Sequence, residues 1–353
     1  MSLSIDLDGK EYTKFIDARV ERSLESVAGF FEFTAIPDEG EAIPLTEGSL
    51  ITINVDGEKF LTGYIDSYQV NYSASKHEVK VRGRSKTADL VDCTAGVVKD
   101  YPTIKFEKLC NLICKNFDIN VVNNVLSVRD SSYIMSCNVG DTAFSFLEKY
   151  AKKSQVLLTD NENGDLVITR ASEVLSSLYL KNIVGKDDNN IKSADRKLDL
   201  SNLYYKYIGQ SEMSPIDTTD AVLMKDLSDL VGISFDKLVR KTRVLEFYTE
   251  EYAGGDFKIE DRVDWEIGIR RARAFSYNCV VAGHSVNGEI WKPNVLYNVD
   301  DEFSSVKGAI LCKKVVFNYD LKNGSTTTLS FTDKSAYTLE ATKSSILEEY
   351  ELG

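Results

Sequence analysis

Large apolar and polar side chains alternate through SLITINV (49–55) and KFLTGYIDSYQVNY (59–72), the two sides of Asp56-Gly57. A half-buried antiparallel strand has this period of two, because successive side chains point to opposite faces of the sheet. Five Asp-Gly or Asn-Gly pairs lie between stretches of strand character: Asp8-Gly9, Asp56-Gly57, Asn163-Gly164, Asn287-Gly288 and Asn323-Gly324. A two-residue type I′ turn needs positive φ at both central positions, and these residue types tolerate it, so each pair predicts a β-hairpin. With GFFEFTAI (29–36) before and HEVKVRG (77–83) after, residues 1–95 are expected to form a compact antiparallel unit, a small barrel or a sandwich.

The period changes after residue 95. In FEKLCNLICKNF (106–117), Phe106, Leu109, Cys110, Ile113, Cys114 and Phe117 follow helical spacing. DTAFSFLEKYAKKS (141–154) predicts a second helix with Asp141 as its N-cap, and QVLLTDNENGDLVITR (155–170) predicts a hairpin. Residues 96–175 therefore read as a small α+β module. Its DNENGD segment is not an EF-hand loop, since Gly164 is the fifth position from Asp160 and that turn requires Gly at the sixth. Strand character returns in DLSNLYYKYIGQ (199–210) and again from 277 to 332. This predicts a second β unit, 176–210 and 277–335, interrupted by a polar, partly helical insertion at 211–276. Within the insertion, DRVDWEIGIRRARAF places acids early and Arg270, Arg271 and Arg273 late, the order that complements a helix dipole. Residues 336–353 read as an acidic tail that orders against a partner.

Length and composition make these units compact. The 353 residues exceed what one ordinary core supports, and 43% hydrophobic with 27% charged residues is globular rather than disordered composition. MSLSIDLDGKEYTKF lacks a basic segment followed by an apolar run, and no stretch of about 18 apolar residues occurs, so neither a signal peptide nor membrane insertion is expected. The six cysteines are sparse, and the two histidines, His77 and His284, stand apart from them. A zinc site needs ligands at short spacing, so no metal or cofactor is expected, and reduced thiols suit a protein made in the cytoplasm. No GxSxG elbow is present, and no catalytic residue is assigned. A carboxylate pair for glycoside cleavage is unavoidable by chance among 55 acidic residues, which keeps a peptidoglycan hydrolase as an alternative reading.

Charge singles out one stretch. KVRGRSK (80–86) puts four cations into a chain whose net charge is -13. A phosphate loop would require Gly directly before the Lys, where Ser85 stands. The overall acidity opposes nucleic acid as a main ligand, because that affinity rests on cation–phosphate contacts, and a nucleic-acid-binding module is the weakest alternative. The even spacing of Lys80, Arg82, Arg84 and Lys86 places them on one face of an extended strand, with Val79, Val81 and Gly83 on the other. Two readings stand: a solvated edge, or a contact with acidic surface on a neighbouring subunit.

VKVRGRSKTADLVDCTA (79–95) resembles the strand-then-turn signature near the end of the first domain in baseplate hub proteins of phage Mu-like contractile tails. RRARAFSYNCVVAGHSVNGEIWKPNVLYNVDDEF (270–303) is similar to a later segment of that family, in which a basic helix leads to a strand, a hairpin and a Trp-Lys-Pro-Asn element. The order of segments agrees from about residue 3 to 335. The resemblance implies a mainly β fold with α+β content. It comprises two similar antiparallel, tube-type β-barrel domains, the small module and the inserted segment. It further implies a non-enzymatic homotrimer in the virion tail whose six barrels form a ring and channel. Such a ring would join the tail tube or tube initiator to a separate central spike, with wedge proteins around it and DNA only as passing cargo. Gly83, Arg84 and Asp92, together with Trp291, Pro293 and Asn294, match the family pattern and are expected to be structural. Lys80, Arg82 and Lys86 are this chain's own additions and are expected at the subunit interface.

Overall fold

A computed structural model describes residues 3–7, 9–36, 48–73, 76–96, 100–101, 104–126, 128, 135–154, 156–211, 231–249 and 259–337. The insertion between 212 and 230, and the tail beyond 337, lie outside the described residues. Compactness divides the chain into two units: Met1–Asp195 with Asn278–Phe331, and Arg196–Tyr277 with Thr332–Gly353.

The first unit opens with seven strands: β1 (Leu3–Leu7), β2 (Lys10–Tyr12), β3 (Phe15–Ser23), β4 (Phe30–Ala35), β5 (Leu50–Val55), β6 (Glu58–Ser73) and β7 (Lys76–Ser85). They lie in the order β3-β4-β7-β6-β5-β1-β2. The alternation read from sequence decides their faces, since Val20, Phe31, Ile51, Ile53, Val55 and Val81 all point into the core. Fully burying one such side chain stabilises the fold by about 1.5–3 kcal/mol. Asp56 and Gly57 both take positive φ, 48° and 84°, and close the β5–β6 hairpin at Val55↔Glu58, the type I′ geometry expected. A short helix, α1 (Ala88–Asp92), follows β7.

The module is built on two helices, α2 (Phe106–Cys114) and α3 (Ala143–Lys153), with a 3-10 turn at Lys115–Phe117 extending the first. Strand β8 (Asp100–Tyr101) pairs with β10 (Met135–Ser136). Strand β9 (Val121–Asn123) runs parallel to β12 (Leu166–Thr169), which is antiparallel to β11 (Leu157–Asp160). Phe106, Leu109, Cys110, Ile113 and Cys114 enter one core with Phe146, Leu147, Leu166 and Ile168, as the helical spacing requires. The cap of α3 is Thr142 rather than Asp141: Thr142 Oγ1 accepts from Ser145 N at 3.1 Å, while Asp141 accepts from Asn138 N at 2.9 Å. Either residue type caps a helix, so the backbone turn, not composition, chooses between adjacent candidates.

Beyond the module run β13 (Leu175–Asn182), β14 (Ile191–Leu198), β15 (Lys206–Ser211), β16 (Val231–Phe235), β17 (Val244–Thr249), α4 (Ile259–Ala274) and β18 (Phe275–Ala282). The remaining strands are β19 (Ser285–Val286), β20 (Glu289–Ile290), β21 (Val295–Asp301), β22 (Val306–Asp320) and β23 (Gly324–Thr332). β15, read in sequence as part of the second β unit, instead pairs antiparallel with β16 and parallel with β17. The sheet of these three strands packs on α4 through Tyr207, Ile259, Val263 and Ile267, and belongs to the second compact unit. Strand character tells that a segment is extended; the side chains it meets decide which sheet it joins.

The second β unit has the order β14-β18-β23-β22-β21-β13, position for position that of β3-β4-β7-β6-β5-β1. One of its pairs, β13 on β21, is parallel. The long strand β22 serves both β units. Its first half, Val306–Cys312, pairs with β21, and its second half, Lys314–Asp320, pairs antiparallel with β3. Phe317 on that half meets Phe60 edge-on with ring centroids 4.8 Å apart, so the seam is packed as well as hydrogen-bonded.

The other Asx-Gly pairs also lie at turns. Asn287 and Gly288 take φ of 53° and 84°, the I′ form again. At Asn163-Gly164 and Asn323-Gly324 only the glycine has positive φ, 73° and 71°, so these hairpins close through wider turns. Gly9 has φ 78°, and Asp8 lies outside the described residues.

Candidate assembly surface

The cationic strand alternates as its spacing demands: Val79, Val81 and Gly83 are buried, while Lys80, Arg82, Arg84 and Lys86 are turned outward. The outward cations meet acids and carbonyls of their own chain. Lys80 Nζ lies 3.2 Å from Glu32 on β4, and Arg82 Nε bonds the other oxygen of the same carboxylate. Partial burial alone would raise the pKa of Glu32, but the bonds from Arg82 and Lys80 outweigh it and hold the group below the usual carboxylate range. Lys86 Nζ donates to Asp118 O at 3.0 Å.

Arg84 forms a two-pronged bond to Asp92, at 3.1 and 2.6 Å, and reaches Asp66 at 2.7 Å. Its hydrogen bonds to Asp92, then to Asp66, push the guanidinium pKa up, and Arg84 in turn holds the Asp92 carboxyl low. Asp92 ends α1, so the pair fastens β7 to the helix that leaves it. Gly83 is set by contact: a Cβ there would come within 2.1 Å of Tyr64 O and 2.2 Å of the Phe31 ring.

In the Trp-Lys-Pro-Asn element, Trp291 is fully buried with its ring 5.1 Å from that of Tyr297. The Tyr297 hydroxyl accepts from Lys292 N at 2.8 Å, and Pro293 sits half-buried in the bend that follows. Asn294 takes a left-handed φ of 58°. Its Oδ1 accepts from Ser172 N at 2.9 Å and its Nδ2 donates to Arg170 O at 3.0 Å. Asn294 thus bonds a distant segment, the exit of the module, rather than the adjacent backbone.

Two residues that the sequence did not pair make a buried charge contact. Arg22 Nε donates to Asp160 Oδ1 at 3.0 Å, with side chains 11% and 1% exposed. Asp160 Oδ2 also accepts from Gly29 N at 3.0 Å, so the first β unit is pinned to the module hairpin. The partners are 138 residues apart, and no local pattern joins them.

Several groups that could carry chemistry are buried or hydrogen-bonded. Burial pushes the thiols of Cys114 and Cys279 up to about 12, which keeps them protonated and inert. His284 is buried with Nε2 2.9 Å from Asn318 O, and desolvation lowers its pKa. Within DNENGD, Asp165 is held by amides: Asn161 Nδ2 reaches it at 3.0 Å and Asn120 Nδ2 at 3.2 Å. Among the described residues no group of three or more His, Cys, Asp or Glu could hold a metal ion. Also among them, no helix is long and apolar enough to cross a membrane. The late arginines of α4 are drawn into ion pairs, Arg270 with Glu266 at 2.6 Å and Arg271 with the buried Asp236 at 3.0 and 2.6 Å.

Comparison with known proteins places the segments in order. Residues 2–85 match the N-terminal domain family of Mu phage baseplate assembly protein GpP-like proteins, and residues 87–170 match the second domain of gp44-like baseplate hub proteins. Residues 257–340 match the fourth domain of Mu phage baseplate assembly protein GpP. The three matched segments are domains of Mu-type baseplate hub and assembly proteins, in chain order. The chain's similarity to baseplate hub protein gp44 of Escherichia phage Mu is 24% identity over 345 residues, 95% of this chain and 89% of the relative. The fold is also that of the prophage MuSo2 43 kDa tail protein from Shewanella oneidensis, with a TM-score of 0.81 and 24% identity over 96% of this chain and 99% of that one. A tail protein from Neisseria meningitidis MC58 has the same TM-score, 0.81, at 18% identity, over 96% of this chain and 98% of its own.

Proposed function

We propose that the protein is a structural, non-enzymatic hub at the centre of a Mu-like contractile-tail baseplate. It acts as a homotrimer whose ring surrounds a channel and joins the tail tube to the central spike. The observation that carries this reading is the match of three hub domain families, in order, from residue 2 to 340. The repeated strand order of the two β units supports a ring of six like domains from three chains. In this reading residues 1–95 and 176–198 with 277–332 are the tube-type domains, 96–175 the module, and wedge proteins contact the outside. Three copies carry a net charge of -39, three times -13, a field that discourages passing DNA from adhering.

Light scattering on the purified chain is expected to give the mass of three chains, and tail particles are expected to contain it next to tube and spike proteins. Particles that assemble without it would overturn the reading. Release of soluble fragments from peptidoglycan by the purified protein would overturn its non-enzymatic part.

A further inference from the structure

We infer that the outer face of the three-stranded sheet β16-β15-β17 is the docking surface for the chain's own acidic tail, residues 338–353. The contact lies within one chain and is independent of the hub reading above.

The sheet has two apolar faces but a packing layer on only one. On the inner side Tyr207 packs with Ile259, Val263 and Ile267 of α4. A Cβ at Gly209 would come within 2.6 Å of Val263, and one at Gly232 within 2.7 Å of the backbone of Ile259 and Glu260, so the helix lies close against the strands. On the outer side the register sets Phe235, Lys206 and Val244 in one row and Ile233, Ile208 and Glu246 in the next; Val231, Gln210 and Tyr248 form the third. Ile233, Phe235, Val244 and Tyr248 are 43%, 55%, 47% and 73% exposed, so no described element covers this side. A sheet is stable as a layer when each apolar face is buried against another, and a contiguous exposed apolar patch marks a docking surface.

Charge and chain path point to the occupant. The loop from β16 to β17 carries Lys237, Arg240 and Lys241, all exposed, and among the described residues none of them pairs with an acid. The tail leaves the fold at this same end. Thr332 Oγ1 donates to Ala272 O at 3.3 Å, and the 3-10 turn Lys334–Tyr337 that follows packs on α4. The adjacent Arg271 bonds Asp236, where the basic loop begins, at 2.6 Å. By contrast, residues 212–230 join β15 to β16 beyond the opposite row, Gln210↔Val231.

Residues 338–353, which lie outside the described residues, hold Glu340, Glu348, Glu349 and Glu351 against one cation, Lys343. Leu339, Ile346, Leu347 and Tyr350 recur at i, i+7, i+8 and i+11, the spacing of one helix face. The segment thus offers an apolar stripe to the sheet and acids to the basic loop. Exposed ion pairs add little affinity, so the stripe supplies the binding and the charges set its direction. Reach is sufficient: sixteen extended residues span roughly 50 Å, and packed layers are about 10 Å apart.

Hydrogen exchange on the full chain tests the contact. The amides of 344–351 are expected to exchange at least about tenfold more slowly than in a synthetic peptide of residues 338–353. An Ile233→Asp, Phe235→Asp double variant is expected to abolish that protection while α4 keeps its own. Should that variant misfold, a second measurement uses Cys93→Ser, which removes the exposed native thiol, with Ile233→Cys and Ile346→Cys. On oxidation a disulfide within a one-chain species is expected, mapped by mass spectrometry. Tail amides that exchange at the peptide's rate, tail protection unmoved by the aspartates in a folded variant, or a cross-link formed only between chains would each overturn the inference. So would loss of protection in 212–230 instead of the tail. None of these outcomes touches the hub reading, which rests on the mass in solution and the composition of tail particles.

Discussion

Lys80 and Arg82 reach Glu32 across the solvent face of a sheet, whereas Arg22 meets Asp160 with the carboxylate 1% exposed. The first set fills the most cationic stretch of the sequence; the second consists of two unremarkable residues far apart in the chain. Exposed ion pairs gain little, because water screens the charges and long side chains lose rotamer freedom when held together. A buried pair makes a poor case for net stability, yet losing one partner strands the other charge out of water. Conspicuous charge and structurally decisive charge are thus different things here, and burial separates them.

Asp160→Ala gives the largest test of that contrast. It leaves Arg22 buried without its carboxylate and Gly29 N without its acceptor. A loss of about 3–5 kcal/mol is expected in the urea midpoint. A loss no greater than that of Glu32→Ala would erase the distinction. Next comes Gly83→Ala on the inner face of the cationic strand, where the added methyl meets the Phe31 ring and Tyr64 O. Overpacking of this kind costs about 1–3 kcal/mol, and thermal unfolding should show it. Asn294→Ala removes the bonds to Ser172 N and Arg170 O and should cost about 1–2 kcal/mol by the same measurement.

His284 extends the contrast to pH. Desolvation lowers its folded pKa below the ordinary 6.5, so the unfolded chain binds the proton more readily. The contribution is fully present above 6.5 and is lost as pH falls from 6.5 through the lowered folded value. Each unit of depression amounts to about 1.4 kcal/mol. The midpoint difference between pH 7.5 and pH 5 should shrink in His284→Phe, and an unchanged difference would count against a buried neutral imidazole. The smallest effect belongs to the exposed set: Glu32→Ala is expected to change stability by less than about 1 kcal/mol, and by less still at high salt.

What could be read along the chain was local. The helical run from Phe106 to Cys114, the strands on either side of Asp56-Gly57 and the outward turn of Lys80, Arg82, Arg84 and Lys86 all follow from side-chain period and residue type. The Arg84–Asp92 pair joins two positions that the family resemblance, rather than any local pattern, singled out. The reading was coarser where neighbouring choices were equivalent, as between Asp141 and Thr142, or where the outcome depended on a distant surface, as for β15.

By itself the sequence determined the β character, the helical module, the positions of the turns and the faces of the alternating strands around Asp56-Gly57 and in the cationic strand, because dihedral preference and side-chain period act over a few residues. Tertiary structure alone decided that Asp160 waits for Arg22, that Asn294 fastens the module's exit, and that half of β22 is covered while half of β6 is bare. Those outcomes depend on which surfaces meet across tens to hundreds of residues, and no short-range pattern encodes such a meeting.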